Sequence, residues 1–150
     1  ADYLAYRRRH LFYAPWPDGE SMADTCDRLR NNILSTLHRE LADKKVIIVS
    51  HGDVMRALRV TFDRIMADEY HALDIEDPAW FKIGNGQVIH YTRVDPFDSK
   101  HVLPHMGWVR SVNPFDPNFA GHDWKEVVHK TYTNEELLAL ANRSTRIINC

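Results

Sequence analysis

The sequence predicts an α/β fold with a mostly parallel sheet, and the order of its elements carries this prediction. Apolar residues between Met22 and Leu41 recur at steps of three and four, which predicts a long helix with one buried face. Val46–Val49 follows as an unbroken β-branched run, typical of a strand buried on both faces. Val54–Val60 then predicts an amphipathic helix. Helix, buried strand, short turn and helix form the repeating unit of an α/β sheet.

Length and composition fit one globular domain, and we assign residues 1–150 to it. The chain has 150 residues, of which 44% are hydrophobic and 27% charged, enough for a single core. Its formal net charge of -2 offers no basic field for nucleic acid or an anionic membrane surface. No apolar run approaches the roughly 20 residues that a membrane span needs. We therefore expect neither nucleic acid nor a membrane as a partner.

Local signals predict how the first long helix begins. Residues 2–9 are predicted to be helical, and residues 13–19 contain two prolines and a glycine, which predicts a loop. Ser21 with Asp24 three residues later resembles a capping box. We expect this helix to begin after Ser21 and to run to about residue 43.

The second half of the chain predicts smaller elements. An Asn-Gly pair at residues 85 and 86 predicts a β-hairpin at the sheet edge, formed by Trp80–Ile83 and Val88–Val94. Trp108–Val112 predicts one more short strand. Thr133–Glu136 predicts a second capping box, which opens a final helix.

Ser50-His51-Gly52 lies directly after the apolar run and before the next helix. Residues at the carboxyl end of a parallel strand face the crevice where α/β folds bind ligands. The free N–H groups of the following helix attract anions, and Gly52 permits a close approach. His51 can donate a hydrogen bond to a phosphate oxygen. The alternative is a histidine that only caps or packs the turn.

Glu20 lies between the Pro- and Gly-containing loop and the start of the long helix. A carboxyl group there can give a proton to a leaving oxygen if its pKa lies near the working pH. The alternative is a solvated acid that interacts favourably with the helix dipole.

Gly19–Asp24, the long helix and Val46–Leu58 together resemble the second half of the histidine phosphatase (phosphoglycerate mutase-like) superfamily. The resemblance implies that Glu20 is the proton donor and that His51 is the second active-site histidine. It also implies the three-layer sandwich of that family, here incomplete at its N-terminal side.

Tyr6–Arg9 resembles the place where phosphoglycerate mutases carry paired arginines that contact the phosphate or carboxylate of the substrate. We select Arg8 and Arg9 for this role. An exposed basic helix end is the alternative.

The Arg-His-Gly motif, whose histidine is the nucleophile of the family, does not occur in the 150 residues. Arg9-His10 is followed by Leu11 and comes after a helical stretch, so we reject it as the nucleophile. In the family, the strand before that motif lies beside the Ser-His-Gly strand. We therefore expect this chain to be the C-terminal part of a single domain, paired with the missing N-terminal segment or with a chain that carries it. Alone, it should not turn over substrate.

The resemblance implies phosphoryl transfer through a phosphohistidine on a small phosphorylated substrate, with phosphomonoester hydrolysis as the leading reaction. Phosphoglycerate mutase-type transfer is one alternative. A catalytically inactive relative that binds a phosphorylated ligand or a partner is another.

No metal or cofactor is implied by the resemblance, since cationic side chains stabilise the charge. The C-terminal histidines also lack the spacing of a metal-ligand set; they are His101, His105, His122 and His129. Two cysteines, Cys26 and Cys150, form no disulfide framework, which favours the cytoplasm. Self-association into a homo-oligomer stays open.

Overall fold

The structure is a computed structural model that describes residues 3–42, 44–78, 80–116, 119, 123–128 and 131–143. The helices of this part of the chain are α1 (Tyr3–Arg9), α2 (Met22–Arg28), α3 (Ser35–Glu40), α4 (Gly52–Phe62), α5 (Ala67–Glu76) and α6 (Asn134–Arg143), with a π-helical segment (Leu29–Leu34) between α2 and α3. The strands are β1 (Val88–Thr92), β2 (Trp108–Val112) and β3 (Lys125–Glu126).

The predicted long helix is confirmed as α2, the π-helical segment and α3, which follow one another without a break. Its start is held by the predicted capping box. The Ser21 hydroxyl accepts from Asp24 N at 3.1 Å, and the Asp24 carboxylate accepts from Ser21 N at 3.0 Å. The helix ends at Glu40, and residue 43 lies outside the described residues. The capping box places Glu20 directly before the helix.

The core lies where α2 packs against α4. The Cys26 thiol donates to the Ala57 carbonyl at 3.7 Å, so the two helices approach closely at these small residues. The sequence analysis does not predict α5, whose apolar residues form no clear stripe, yet this helix adds Tyr70 to the core. The buried cluster comprises Cys26, Leu29, Ala57, Val60, Tyr70 and Phe81.

The predicted strand over Val46–Val49 is wrong in this structure. Within the described residues this run pairs with no strand, and the side chains of Ile47 and Val49 are 91% and 92% exposed. A strand exists only where a neighbour accepts and donates its backbone hydrogen bonds. No described segment supplies that neighbour, so the β-branched composition alone does not make a strand.

The sheet that the structure describes is antiparallel, not mostly parallel as predicted. Its order is β1-β2-β3, and both pairings are antiparallel. Val88 lies opposite Val112, and Thr92 lies opposite Trp108. All three strands come from the second half of the chain, and the described residues between them contain no helix. Connections without a helix join antiparallel neighbours. The three-layer sandwich is therefore not confirmed.

The predicted hairpin is confirmed only in its second strand and its turn. β1 pairs with β2 and not with Trp80–Ile83. Phe81 N and Lys82 N both donate to the Pro78 carbonyl, at 2.8 and 3.2 Å, which bends this stretch into a turn. The buried Phe81 ring packs in the helical core, where an edge strand would not place it. Gly86 adopts a φ of 71°, as the predicted Asn-Gly turn requires.

The predicted strand over Trp108–Val112 is confirmed as β2, and the final helix is confirmed as α6. The Thr133 hydroxyl accepts from Glu136 N at 3.2 Å, and Thr133 N donates to the Glu136 carboxylate at 2.8 Å. Cys150 lies outside the described residues. In the part of the chain that is described, no helix combines the length and apolar character needed to cross a bilayer.

Candidate active site

Glu20 is held by a two-pronged ion pair at the start of α2. Arg28 Nε donates to Glu20 Oε1 at 2.9 Å, and Arg28 Nη2 donates to Oε2 at 2.7 Å. The Thr25 hydroxyl lies 3.3 Å from Oε2 and closer, at 3.0 Å, to the Ser21 carbonyl. Thr25 and Arg28 are three residues apart and so share one helix face. The carboxylate is therefore oriented chiefly by Arg28.

The ion pair with Arg28 favours the deprotonated form of Glu20. The hydrogen bonds from Arg28 lower the pKa of Glu20 from its ordinary value, because they stabilise the carboxylate over the acid. A proton donor needs the opposite shift, since it must carry a proton at the working pH. The pair is half exposed, with 46% of the Glu20 side chain and 47% of the Arg28 side chain accessible, so solvent weakens it and the carboxylate remains reachable.

His51 is the residue that precedes α4, and it is exposed. Its backbone is extended, with a φ of -90° and a ψ of 162°, and its carbonyl accepts from Met55 N at 2.9 Å. Among the described residues no side chain caps this helix. The N–H groups of the first turn can therefore donate hydrogen bonds to an anion. Asp53 places a carboxylate in the same turn, which opposes anion binding there.

Gly52 is the first residue of α4 and borders open space. A Cβ atom added at Gly52 would meet no described atom within 4 Å. The predicted close approach to the backbone is thus possible from this side. In the structure as described, glycine is not required there by packing.

The arginines of α1 differ in their surroundings. Arg7 lies over the Trp16 ring, with its guanidinium carbon 3.3 Å from the ring centroid, and this cation–π contact ties α1 to the Pro-containing loop. Arg8 is exposed on the same helix. Arg9 ends α1, and its side chain lies outside what the structure describes. Arg7 thus has a packing role, while Arg8 remains available to a ligand.

The predicted residues are linked through the packing of their helices. Glu20 precedes α2, His51 precedes α4, and α2 and α4 meet at Cys26 and Ala57. Within the described residues no hydrogen bond or ion pair joins Glu20 to His51. The roles of both residues therefore stay predictions.

Arg28 is the residue of this site that the sequence analysis misses. The signal is present, because Arg28 lies eight residues after Glu20 and three after Thr25 on a helix that begins beside Glu20. Arg28 lies about two helical turns after Glu20, and helical side chains lean toward the N-terminus of the helix. A long arginine side chain at this position can therefore reach back to Glu20. Sequence spacing alone does not show whether Arg28 pairs with Glu20 or with an acid that is nearer in sequence, such as Asp24.

Potential metal ligands do not cluster in the described part of the chain. No group of three or more His, Cys, Asp or Glu side chains there could hold a metal ion. His101 pairs loosely with Asp95, with Nδ1 3.8 Å from the carboxylate. His122 and His129 lie outside the described residues.

Known proteins resemble this chain over the segment that contains these residues. The family model of the histidine phosphatase superfamily (branch 1) matches residues 1–87, more than half of the chain. Over 68 residues the chain is 35% identical to a 2,3-bisphosphoglycerate-dependent phosphoglycerate mutase of Rhizobium rhizogenes (strain K84), covering 45% of this chain and 32% of that protein. No solved structure matches the chain.

The chain spans about a third of the length of the curated relative that it matches. The match of the family model includes Glu20, Arg28, His51 and Gly52. It confirms the resemblance seen in the Gly-Glu-Ser and Ser-His-Gly motifs, and with it the α/β class of the fold. The chain therefore belongs to the histidine phosphatase superfamily.

Proposed function

We propose that this chain contributes to a phosphoryl-transfer site that works through a phosphohistidine, with phosphomonoester hydrolysis as its leading reaction. The observation that carries the proposal is the exposed His51-Gly52 at the start of α4, which no described side chain caps, in a chain of this family. A histidine beside free helix N–H groups suits the oxygens of a phosphoryl group.

Each residue has a defined task in this reaction. His51 and the N–H groups of the first turn of α4 hold the equatorial oxygens of the phosphoryl group. The nucleophilic histidine forms a bond to phosphorus while the bond from phosphorus to the leaving oxygen breaks, and Glu20 gives its proton to that oxygen. Water then attacks the phosphohistidine, which releases inorganic phosphate and frees the histidine. Arg8 and Arg9 attract the anionic substrate. The nucleophilic histidine comes from outside these 150 residues, which contain no Arg-His-Gly motif.

The same proposal accounts for the exposed run Val46–Val49. A strand that carries the nucleophile would pair with this run and cover Ile47 and Val49, which face solvent in the structure. This strand belongs either to an N-terminal segment of the same domain or to another chain. Native mass spectrometry of the purified protein tests this idea, since a folded monomer of 17.5 kDa with phosphatase activity would contradict it.

The activity itself is tested with p-nitrophenyl phosphate on the protein that includes the nucleophile. We expect His51→Ala to lower kcat/KM by roughly 10²–10³-fold, the typical effect of losing one transition-state hydrogen-bond donor. His38→Ala is the matched control, because His38 is exposed on α3 and serves no predicted role. Unchanged turnover in His51→Ala would reject the proposal.

Transfer of the phosphoryl group within a phosphoglycerate is the second candidate reaction. It is favoured by the relative at 35% identity, which is a phosphoglycerate mutase. Release of inorganic phosphate separates the two reactions, because hydrolysis releases it and transfer does not. Binding of phosphorylated ligands without turnover of either kind would instead identify an inactive relative.

A further inference from the structure

A cavity of about 260 Å³ lies where the second half of α4 and the turn at Trp80 face the antiparallel sheet. Its walls come from α4, from this turn, from β2 and from the segment that forms β3. Arg59 lies eight residues after His51, which is about 12 Å along the axis of α4, so the cavity is far from the His51-Gly52 end of that helix. The described lining includes Arg59, Trp80, Val109, Ser111, Asp123 and Lys125.

Trp80 and Val109 supply the apolar part of this lining. The guanidinium of the buried Arg59 lies 5.0 Å from the centroid of the Trp80 ring and also donates to the Trp80 carbonyl, so it holds this turn in place. Val109 is held between its two strand partners, Tyr91 and Lys125. Pockets for drug-sized ligands measure about 300–1,000 Å³, so this smaller cavity suits a single ring with a short substituent.

Ser111 places a hydrogen-bond donor in the wall of the cavity, and it is buried, with 9% of its surface exposed. Gly84 N donates to Gln87 Oε1 at 2.6 Å, which fixes the orientation of this amide, and Gln87 Nε2 donates to Ser111 Oγ at 2.6 Å. The Ser111 oxygen therefore acts as an acceptor, and among the described residues no acceptor takes its hydroxyl proton. An oxygen atom of a ligand would satisfy this donor.

The charged residues around the cavity leave an excess of one positive charge. Arg59 is already paired with Asp63. Lys125 is exposed on β3, and within the described part of the chain no carboxylate forms an ion pair with it. Arg110 also borders the cavity, and Asp123 brings the one carboxylate of the described lining. Two cations against one anion favour an anionic ligand, although the formal net charge of the chain is -2.

We propose that this cavity binds a small aromatic carboxylate. The ring lies against Trp80 and Val109, and the carboxylate accepts from the Ser111 hydroxyl and from the Lys125 ammonium group. One negative charge matches the excess of one positive charge, whereas a phosphate dianion exceeds it. The ligand joins α4, the turn at Trp80 and the sheet, so it stabilises the folded chain by mass action. The site does not depend on the proposed phosphoryl transfer, which uses the other end of α4.

NMR of the protein tests the site with benzoate as the probe. The amide signals of Val109, Ser111 and Lys125 and the indole N–H signal of Trp80 are followed during the titration. We expect saturable shifts and a Kd about tenfold lower than that of acetate, which lacks the ring, or of benzyl alcohol, which lacks the charge. Benzylamine carries the opposite charge and should also bind more weakly than benzoate.

Two exposed residues of the lining allow opposite changes of charge. Lys125→Gln removes a cation and should raise the Kd of benzoate by about five- to tenfold, whereas Asp123→Asn removes a repulsive charge and should lower it by about two- to fivefold. Lys100→Gln is the matched control, because Lys100 is exposed and is not among the lining residues, so the Kd should stay unchanged. Unchanged signals from the buried Phe81 confirm that each variant is folded.

Several outcomes would overturn the proposal. Shifts at Ser111 and Trp80 that are absent, or that grow without saturation, would show that the cavity is no specific site. A Kd for benzoate no lower than those of acetate and benzyl alcohol would reject the aromatic carboxylate, as would charge variants that both change the Kd in the same direction or leave it unchanged. Shifts confined to His51 and Gly52 would place benzoate at the start of α4 and reject the cavity, without any bearing on the proposed phosphoryl transfer.

Discussion

The Tyr91 hydroxyl donates to Asp63 Oδ1 at 2.7 Å and thereby joins β1 to the end of α4. Asp63 also pairs with the buried Arg59, whose guanidinium donates to the Trp80 carbonyl and lies over the Trp80 ring. A helix end, a strand and a turn thus meet in one polar network. This network connects the helical core to the antiparallel sheet.

Tyr91→Phe should lower the free energy of unfolding by about 1–3 kcal/mol, because the mutation leaves a largely buried carboxylate with one hydrogen bond fewer. Denaturant unfolding measures this change. Tyr13→Phe is the control, since Tyr13 is exposed and its ring is kept. Equal stability of the two variants would show that the hydrogen bond from Tyr91 to Asp63 contributes nothing.

Because Tyr91 is largely buried, we expect the free energy of unfolding to decrease at high pH. Burial raises the pKa of Tyr91 far above its ordinary value, with Asp63 as a second cause. The unfolded chain releases this proton above about pH 10, whereas the folded chain keeps it. The stabilisation from Tyr91 is fully present below the pKa that this tyrosine has in the unfolded chain. The free energy of unfolding should therefore fall as the pH rises above about 10. Tyr91→Phe should remove this part of the pH dependence in denaturant titrations at several pH values.

Ser21→Ala should destabilise the protein by about 1 kcal/mol, because it removes the hydroxyl that caps α2. Thermal or denaturant unfolding measures the loss. The Ser21 hydroxyl and N–H lower the pKa of Asp24, so this variant should also raise that pKa. Ser35→Ala is a control with a similar loss of a hydroxyl at a half-buried position inside the helical run, where the Ser35 hydroxyl donates to the Asn31 carbonyl. A smaller effect in Ser21→Ala than in Ser35→Ala would contradict the capping role.

Ile47→Asp should change the free energy of unfolding of the 150-residue protein by no more than about 0.5 kcal/mol, as exposed positions usually do. It should also reduce aggregation, measured by light scattering, because exposed apolar runs invite strand pairing between molecules. Val60→Asp, in the buried core, should instead unfold the protein. A large loss of stability in Ile47→Asp would mean that this run is buried in solution.

Glu20→Gln should lower kcat by roughly 10²–10⁴-fold in the protein that includes the nucleophile, because the amide cannot donate the proton. The decrease in kcat should be smaller for substrates with a good leaving group, since their leaving oxygen needs little protonation. Comparing p-nitrophenyl phosphate with an alkyl phosphate measures this difference. An equal loss on both substrates would assign Glu20 another role.

Local patterns predicted the starts of α2 and α6 and the turn at Gly86, because the causes of these features lie within a few residues. The capping boxes at Ser21 and Thr133 consist of hydrogen bonds between residues three apart, and the turn at Gly86 depends on one backbone angle. The place of His51 before α4 is equally local. These features can be read from the sequence without knowledge of distant contacts.

The sequence by itself determined the family, the capped starts of α2 and α6 and the place of His51 directly before α4. Only the tertiary structure decided the partner of β1, the lack of a strand partner for Val46–Val49 among the described residues and the ion pair of Glu20 with Arg28. The physical reason is the range of the interactions. Strand pairing needs hydrogen bonds from a segment that is distant in sequence. An ion pair forms with whichever charge the packed helices bring near. A short stretch of residues therefore does not determine either interaction.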